Sequence, residues 1–254
     1  MFESVKYIVS LIIVKYKGDL MSEKIIEVNN LSKSYGDHLV LNDISFSLPK
    51  GEVIGLFGPN GCGKSTLMKI LTGLIHDYKG SVLIEGNTPG DKTKAITAYL
   101  PEQTFIHEWM RNIDAIDYFN DFFKDFDKNK ALEMLKRFSL PEKQKCKTMS
   151  KGMQEKLLLS LTMSREAGLY ILDEPMGGVD PATRESILKF IMDNYTDKST
   201  MLISTHLIND LQTVFTHALF LGGGKVLLNK SSEEITKDGK SLDDVFKEVF
   251  SNVW

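Results

Sequence analysis

The sequence reads Gly58-Pro59-Asn60-Gly61-Cys62-Gly63-Lys64-Ser65-Thr66 between two apolar segments, and this stretch matches the pattern G-x-x-x-x-G-K-[ST]. The preceding run Val53–Phe57 predicts a strand, and the apolar pattern from Leu67 predicts a helix. Glycines let such a loop fold around a phosphate with backbone N–H groups pointing inward, and the helix dipole favours the same anion. In this pattern the lysine reaches the β- and γ-phosphates and the serine hydroxyl binds Mg²⁺. The sequence therefore predicts a nucleoside triphosphate site in this phosphate loop.

Two adjacent acids end another apolar run, Leu169–Leu172, and precede Pro175. A buried strand that carries Asp173 at its tip would place a carboxylate near Mg²⁺, directly or through water. Glu174 would then face the γ-phosphate and orient or deprotonate the attacking water. A solvated pair of acids at a strand end is the structural alternative. Because a phosphate loop comes earlier in the chain, the hydrolytic interpretation is favoured.

Composition limits the classes of protein that this chain can represent. With 254 residues, 42% hydrophobic and 26% charged, it has the make-up of an ordinary globular protein. A net charge of −3 gives no support to nonspecific nucleic-acid binding, which requires a basic surface. The two cysteines, Cys62 and Cys146, do not form a disulfide framework and fit a reducing compartment.

The N-terminal residues carry a short apolar run, Tyr7–Val14, which is too short to span a bilayer. No small-residue cleavage site follows it. We expect residues 1–23 to be an N-terminal extension outside the native domain, with residues 1–20 either preceding the true start or forming an interfacial segment. Residues 24–254 would form the domain itself.

Apolar runs and turn signals predict an α/β fold with a parallel sheet. The predicted strands are Ile25–Val28, Val53–Phe57, Val82–Glu85, Leu169–Leu172, Met201–Ser204, Ala218–Leu221 and Val226–Leu228. The first and last of them alternate and predict a smaller antiparallel layer. Residues 104–164 contain no convincing strand, so we predict an inserted helical subdomain there. Helices are also expected from Asp180-Pro181 toward Tyr195 and over Ser241–Phe250.

The order of the motifs resembles that of the ATP-binding-cassette (ABC) transporter ATPases. Over residues 24–250 it comprises the phosphate loop, the helical insert, Ser150-Lys-Gly-Met-Gln154, Leu-Asp-Glu-Pro175, Val-Asp-Pro181 and Ser-Thr-His206. The resemblance implies a P-loop NTPase core of the RecA-like type with a small antiparallel β layer and an inserted α-helical subdomain. It also implies ATP and Mg²⁺ as ligands, and a head-to-tail dimer with two ATP molecules between the protomers.

The signature segment departs from the family pattern L-S-G-G-Q and reads Met149-Ser-Lys-Gly-Met153. Ser150 and Gly152 remain where the family has a hydroxyl and a close backbone approach to the γ-phosphate. A helix N-terminus aimed at phosphate is preserved. A serine-capped helix without further function is the structural alternative. This variant of the signature segment resembles the signature segments of bacterial exporters of peptides and antibiotics.

The resemblance assigns three more residues to the nucleotide site. His206 would contact the γ-phosphate and organise the water and Glu174. Tyr35 would stack on adenine, although a tyrosine near a turn is equally explained by packing. Asp180 would cross the dimer interface, although as the N-cap of its own helix it already has a structural role.

The loop Tyr99-Leu-Pro-Glu-Gln103 corresponds to the family segment whose glutamine touches Mg²⁺. Either Glu102 or Gln103 could supply that oxygen ligand, and the sequence leaves the choice open. Cys62 lies in the phosphate loop near a helix N-terminus, where we expect the pKa of its thiol to fall. Its alkylation should block ATP binding, and bound ATP should protect it.

The resulting prediction is an ATP-hydrolysing subunit of an ABC exporter that is peripheral at the cytoplasmic face of the membrane. Its partners would be a separate integral-membrane permease and a second ATPase subunit, identical or related, with no nucleic acid. Phe105, Trp109, Phe122 and Phe123 are candidate permease contacts. The alternatives are a soluble ABC ATPase acting on ribosomes or DNA, and a regulatory subunit with degenerate hydrolysis.

Overall fold

The structure is a computed structural model that describes residues 23–177, 181–196, 198–206, 208 and 212–251. The predicted extension up to residue 22 and Asp180 therefore lie outside the described residues. The domain boundary proposed near residue 23 stays a prediction.

A six-stranded sheet forms the centre of the molecule, in the order β5-β6-β7-β3-β8-β9. Its strands are β3 (Val53–Phe57), β5 (Thr97–Leu100), β6 (Leu169–Asp173), β7 (Thr200–Ser204), β8 (His217–Gly222) and β9 (Lys225–Ser231). All neighbours are parallel except the edge pair β8–β9. Because both faces of the sheet are covered, β3, β6 and β7 are buried along their whole length, which explains their uninterrupted apolar sequences.

A separate antiparallel sheet has the order β2-β1-β4, with β1 at Lys24–Tyr35, β2 at His38–Pro49 and β4 at Lys79–Ile84. It shares one hydrophobic core with helix α1 (Lys64–Leu71) and with alternate residues of the central strands, such as Leu56 and Ile171. The intervening residues, such as Phe57 and Leu172, face the second core. The two cores thus divide the central strands between opposite faces of the sheet.

Seven more helices are described: α2 (Asp91–Ile96), α3 (Asn112–Phe122), α4 (Lys128–Arg137), α5 (Lys151–Met163), α6 (Pro181–Asp193), α7 (Ser232–Ile235) and α8 (Leu242–Ser251). Helices α3 to α5 lie between β5 and β6 in the chain and pack together in the second core. The hydroxyl of Ser241 accepts a hydrogen bond from the Asp244 N–H at 3.1 Å and so caps α8 as predicted. Among the described residues, no helix is long and apolar enough to cross a membrane.

The guanidinium of Arg165 connects helices α3 to α5 to the edge of the central sheet through hydrogen bonds. Its Nε and Nη2 atoms donate to the Asp125 carboxylate at 2.9–3.1 Å, and Nη1 donates to the Thr97 carbonyl at 2.7 Å. Nη2 also reaches the Ala95 carbonyl at 3.0 Å, and the ring of Phe123 lies 4.1 Å from the guanidinium carbon. One side chain therefore joins the segment after α3, the segment after α5 and the start of β5.

The sequence prediction was wrong for three strands. Strand β2 was missed, although its apolar residues Leu41, Ile44, Phe46 and Leu48 are buried. Strand β5 was missed because it has only four residues and follows α2 directly. Strand β9 was placed in the small antiparallel layer, but it pairs with β8 at the edge of the large sheet. An edge strand alternates like a strand of a half-exposed antiparallel sheet, so the pattern alone did not distinguish the two positions.

Candidate nucleotide-binding site

The phosphate loop connects β3 to the N-terminus of α1 and depends on its glycines. A Cβ atom on Gly58 would lie 2.1 Å from the Leu221 carbonyl oxygen, so no other residue fits beside β8. Gly63 has φ +104°, a left-handed conformation that side chains disfavour, and it immediately precedes α1. The loop thus turns tightly at the point where the first helical N–H groups are exposed.

The ammonium group of Lys64 lies inside the loop. Its Nζ donates to the Gly58 carbonyl at 2.7 Å and to the Pro59 carbonyl at 3.2 Å, and the side chain is buried. Two acceptors compensate the loss of hydration of this charge. The lysine is therefore held at the loop, where an entering phosphate would meet its positive charge.

Strands β6 and β7 position the two predicted acids. The hydroxyl of Ser204, the last residue of β7, donates to Asp173 Oδ1 at 2.6 Å. The backbone N–H of Glu174 donates to the Ser204 hydroxyl at 3.0 Å and to its carbonyl at 3.2 Å. Ser204 had no predicted role. Its position at the end of an apolar strand, two residues before His206, was the available signal.

Glu174 and His206 form a direct pair, with 3.0 Å between Oε2 and Nδ1. Burial raises the pKa of the Glu174 carboxyl, and the charges of His206 and Lys64 oppose that rise. A partly buried carboxylate with a raised pKa beside a histidine is suited to accept a proton from water. The pair lies at the carboxyl edge of the parallel sheet, where ligands bind in open α/β folds.

The four predicted metal ligands, Ser65, Glu102, Gln103 and Asp173, all line one cavity of about 760 Å³. Their hydroxyl, amide and carboxylate oxygens are the hard ligands that Mg²⁺ prefers, so the residues present fit this ion. Both Glu102 and Gln103 border the cavity, so its lining does not decide between them. In the part of the chain that the structure describes, no three His, Cys, Asp or Glu side chains cluster as a protein-only metal site would require.

Tyr35 ends β1 and is 51% exposed. A base could therefore stack on it from solvent.

Ser150 caps helix α5, and its hydroxyl accepts a hydrogen bond from the Met153 N–H at 3.3 Å. The side chain is exposed. Among the described residues, neither Ser150 nor Gly152 lines the cavity bordered by Ser65 and Asp173. The signature segment thus presents a helix N-terminus to solvent, while Lys151 and Gln154 of the same helix line a second cavity together with Asp173 and Glu174.

The expected fall in the pKa of the Cys62 thiol was wrong, while its alkylation and protection by ATP stay predictions. Its thiol is buried, and burial raises the pKa by more than the nearby charge of Lys64 lowers it. Backbone N–H groups of the loop also lower this pKa, but burial of the side chain against the core outweighs them.

Three of the four aromatic residues proposed as permease contacts line the same cavity as Ser65: Phe105, Phe122 and Phe123. Phe105 and Phe122 are exposed, and so is the neighbouring Tyr118. Trp109 is exposed as well, but its ring stacks on His107 with 6.0 Å between the ring centroids. The cavity therefore runs from the metal-ligand candidates to an apolar surface on the helical insert.

A glycine-rich loop that encloses a lysine, together with two acids at an adjacent strand tip, defines a nucleoside triphosphatase of the P-loop class. The model of the family described as ABC transporter matches residues 41–177, more than half of the chain. The chain belongs to the ATP-binding subunits of the ABC transporter family, whose members are ATPases.

Known proteins similar to this chain are transporter ATP-binding proteins. The ABC transporter ATP-binding protein YtrB of Bacillus subtilis (strain 168) is 30% identical over 225 residues, which cover 86% of this chain and 77% of YtrB. The lantibiotic transport ATP-binding protein SrtF of Streptococcus pyogenes is 29% identical, covering 87% of this chain and 95% of SrtF. The SkfA peptide export ATP-binding protein SkfE of Bacillus subtilis (strain 168) is 30% identical, covering 80% of this chain and 88% of SkfE.

Among solved structures, an ATP-binding subunit of an ABC transporter superposes with a TM-score of 0.80 at 26% identity, covering 89% of this chain and 99% of that one. A nucleotide-free ATP-binding cassette superposes with a TM-score of 0.72 at 20% identity, covering 90% of this chain and 99% of that one, and supports the fold alone. The predicted fold class, with its P-loop core, small antiparallel layer and helical insert, is confirmed.

Proposed function

We propose that this chain hydrolyses ATP to drive export of a peptide, an antibiotic or a similar compound through a separate membrane permease. The observation that carries the hydrolytic part is the Glu174–His206 pair at 3.0 Å, beside a phosphate loop that holds Lys64. Export is supported by two relatives, the lantibiotic transport ATP-binding protein SrtF and the SkfA peptide export ATP-binding protein SkfE.

In the proposed reaction, Glu174 accepts a proton from water as the water oxygen bonds to the γ-phosphorus and the bond to the ADP oxygen breaks. His206 fixes the Glu174 carboxylate through their hydrogen bond. Lys64 binds the β- and γ-phosphate oxygens, together with backbone N–H groups of residues 58–66. Mg²⁺, when bound by Ser65, Asp173 and Glu102 or Gln103, would neutralise charge on the phosphates.

Two protomers would enclose two ATP molecules, with Ser150 and Gly152 of each signature segment facing the other's phosphate loop. The exposed N-terminus of α5 supports this arrangement, because its N–H groups and Ser150 hydroxyl are open to a phosphate group bound by another protomer. The assigned role of Asp180 at that interface stays a prediction. The partner subunit would be identical or related.

The cavity with its aromatic wall is the proposed contact for the permease. Phe105, Phe122 and Phe123 line it together with Ser65 and Asp173, so a segment bound there would touch the surroundings of the γ-phosphate. Such a chain would reside in the cytoplasm, peripheral at the inner face of the membrane. No nucleic acid is expected as a partner, because the net charge of −3 gives no support to nonspecific nucleic-acid binding.

Glu174→Gln tests the hydrolytic proposal. This substitution keeps the shape of the side chain and removes its basicity, so we expect ATPase turnover to fall by about 10² to 10⁴-fold while ATP binding is retained. Glu142→Gln, at an exposed glutamate, is the matched control and should leave turnover unchanged. Equal turnover of the Glu174→Gln protein and the wild type would contradict the role of Glu174.

A pull-down of tagged Glu174→Gln protein from native membranes, in detergent with ATP, tests the transporter part. A polytopic membrane protein should be recovered, and Phe122→Ser should reduce its recovery while Leu227→Ser, at another exposed apolar residue, should not. Recovery with ribosomes or nucleic acid alone would favour the soluble ABC alternative.

A further inference from the structure

Lys33 is a buried lysine whose position the phosphate chemistry does not explain. Its side chain on β1 is only 4% exposed, and its Nζ donates to Asp77 Oδ2 at 2.7 Å. The Asp77 side chain is 86% exposed, and its contact with Lys33 lowers the pKa of the Asp77 carboxyl. A lysine in solvent could make the same pair without losing its hydration, so the ion pair alone gives no reason to bury Lys33.

The second contact of the ammonium is the ring of Tyr35. Residues 33 and 35 lie two apart on one strand and share a face, and Nζ is 4.7 Å from the ring centroid. This distance lies within the range of a cation–π interaction. One face of the ring is therefore covered by a cation, while half of the side chain remains open to solvent.

We propose that Lys33 is a positioning residue for the nucleotide base, holding the Tyr35 ring from one face so that the base stacks on the other. The proposal rests on the proposed role of Tyr35 in base binding. It assigns Lys33 to recognition of the base, a flat aromatic group, and not to recognition of the phosphates.

Two physical effects follow from this geometry. The ammonium, anchored by Asp77, restricts rotation of a half-exposed ring, so less conformational entropy is lost when a base stacks. Its charge also draws electron density toward the covered face and so favours an electron-rich base on the open face. Both effects require a base, and neither acts on a triphosphate group alone.

The test compares two ligands on the full-length protein carrying Glu174→Gln, which prevents turnover. ATP and inorganic triphosphate are titrated against this protein and against the same protein with Lys33→Met. Methionine keeps the apolar stem of the side chain, and the Asp77 carboxylate that it leaves unpaired is solvated. We expect ATP affinity to fall about two- to fivefold, the size of an exposed cation–π contact, with no change for triphosphate.

Controls separate this effect from a general structural one. Lys24→Met, at an exposed lysine on the same strand, should change neither affinity. Lys33→Arg should restore most of the ATP affinity. If Lys33→Met does not fold, Asp77→Ala removes the ion-pair partner of the Lys33 ammonium with little effect on stability. This variant should lower the affinity for ATP but not the affinity for triphosphate.

A double-mutant cycle with Tyr35→Leu decides the proposal, because Lys33→Met should have no effect on ATP binding once the ring is absent. The inference is overturned if Lys33→Met lowers ATP affinity equally with and without Tyr35. It is also overturned if Lys33→Met lowers the affinities for ATP and triphosphate equally, or lowers neither. If Tyr35→Leu lowers ATP affinity but Lys33→Met does not, only the role of Lys33 is wrong. If Tyr35→Leu itself leaves ATP affinity unchanged, base binding at Tyr35 is wrong, and the inference fails with it.

Discussion

The hydroxyl of Ser204 donates to Asp173 Oδ1 at 2.6 Å across the junction of β7 and β6. The same hydroxyl accepts the N–H of Glu174, which has φ +50°, a strained conformation for this residue. One buried serine thus orients a candidate metal ligand and holds the backbone of the candidate base. The positions of Asp173 and Glu174 thus depend on the neighbouring strand β7 as well as on β6.

Replacing Ser204 with alanine should lower ATPase turnover by about tenfold or more, because both acids lose a partner. The loss of stability should be about 1–3 kcal/mol, since the buried Asp173 carboxylate loses its donor, whereas the Glu174 N–H keeps the carbonyl of residue 204. Steady-state turnover against Mg²⁺ concentration and urea unfolding measure the two effects. Ser199→Ala, at the opposite end of the same strand segment, is the control and should change stability without a comparable loss of turnover. Equal turnover in both variants would contradict the orienting role.

The pH dependence of turnover should reflect the raised pKa of Glu174. A general base must be deprotonated, so activity should be lost as pH falls through this pKa, above the ordinary value of 4.5. The charge of His206 opposes the rise in the pKa of Glu174. In the His206→Ala variant, the loss of residual turnover at acidic pH should therefore begin at a higher pH than in the wild type. His217→Ala, at a histidine bound to Asn229, should leave the limb in place. If the loss of turnover at acidic pH began at a lower pH in the His206→Ala variant, this would count against Glu174 as the general base.

Alkylation of Cys62 should be slow and should speed up with rising pH, because burial raises the pKa of its thiol. In a Cys146→Ala background, the rate with iodoacetamide at neutral pH should be about tenfold or more below that of a free thiol. Bound ATP should slow it further, since the thiol lies in the loop that would hold the phosphates. Mass spectrometry of the labelled protein measures the rate. Labelling as fast as that of a free thiol, or equal with and without ATP, would exclude this prediction.

The elements that the sequence predicted well are those whose local signal and tertiary position coincide. Buried strands such as Val53–Phe57 are apolar throughout, and the phosphate loop has its glycines at fixed spacing. Strand β2 alternates over Leu41, Ile44, Phe46 and Leu48 with bulges, and these register shifts weaken the period that identifies a strand. The helical insert was predicted because residues 104–164 contain no convincing strand, and the structure buries Ile116 and Phe119 of this segment in α3.

Contacts between distant segments could not be predicted in the same way. Ser204 lies 31 residues from Asp173 and Arg165 lies 40 from Asp125, and no local periodicity records either pair. The pKa of Cys62 was predicted in the wrong direction, because helix position suggested a lower value and only the structure shows the burial that raises it. Long-range geometry therefore decides the chemistry of residues whose types and spacing the sequence already displays.

The Arg165 attachment leads to a prediction about stability. Arg165→Met should lower the free energy of unfolding by about 2–4 kcal/mol, since Asp125 and two backbone carbonyls lose charge-assisted hydrogen bonds. Asp125 retains some contact with water, which limits the cost of leaving it unpaired. Urea unfolding followed by circular dichroism measures the change.

Arg137→Met is the matched control. Arg137 also pairs with an aspartate, Asp193 at 3.2 Å, and also lies over a phenylalanine ring, but both partners of its ion pair are largely exposed. An exposed pair contributes about 0–1 kcal/mol, so this variant should be close to wild type. If the two variants lost equal stability, burial of Arg165 would not strengthen the contribution of its ion pair to the free energy of unfolding. The helical insert would then be held to the sheet by its apolar contacts alone.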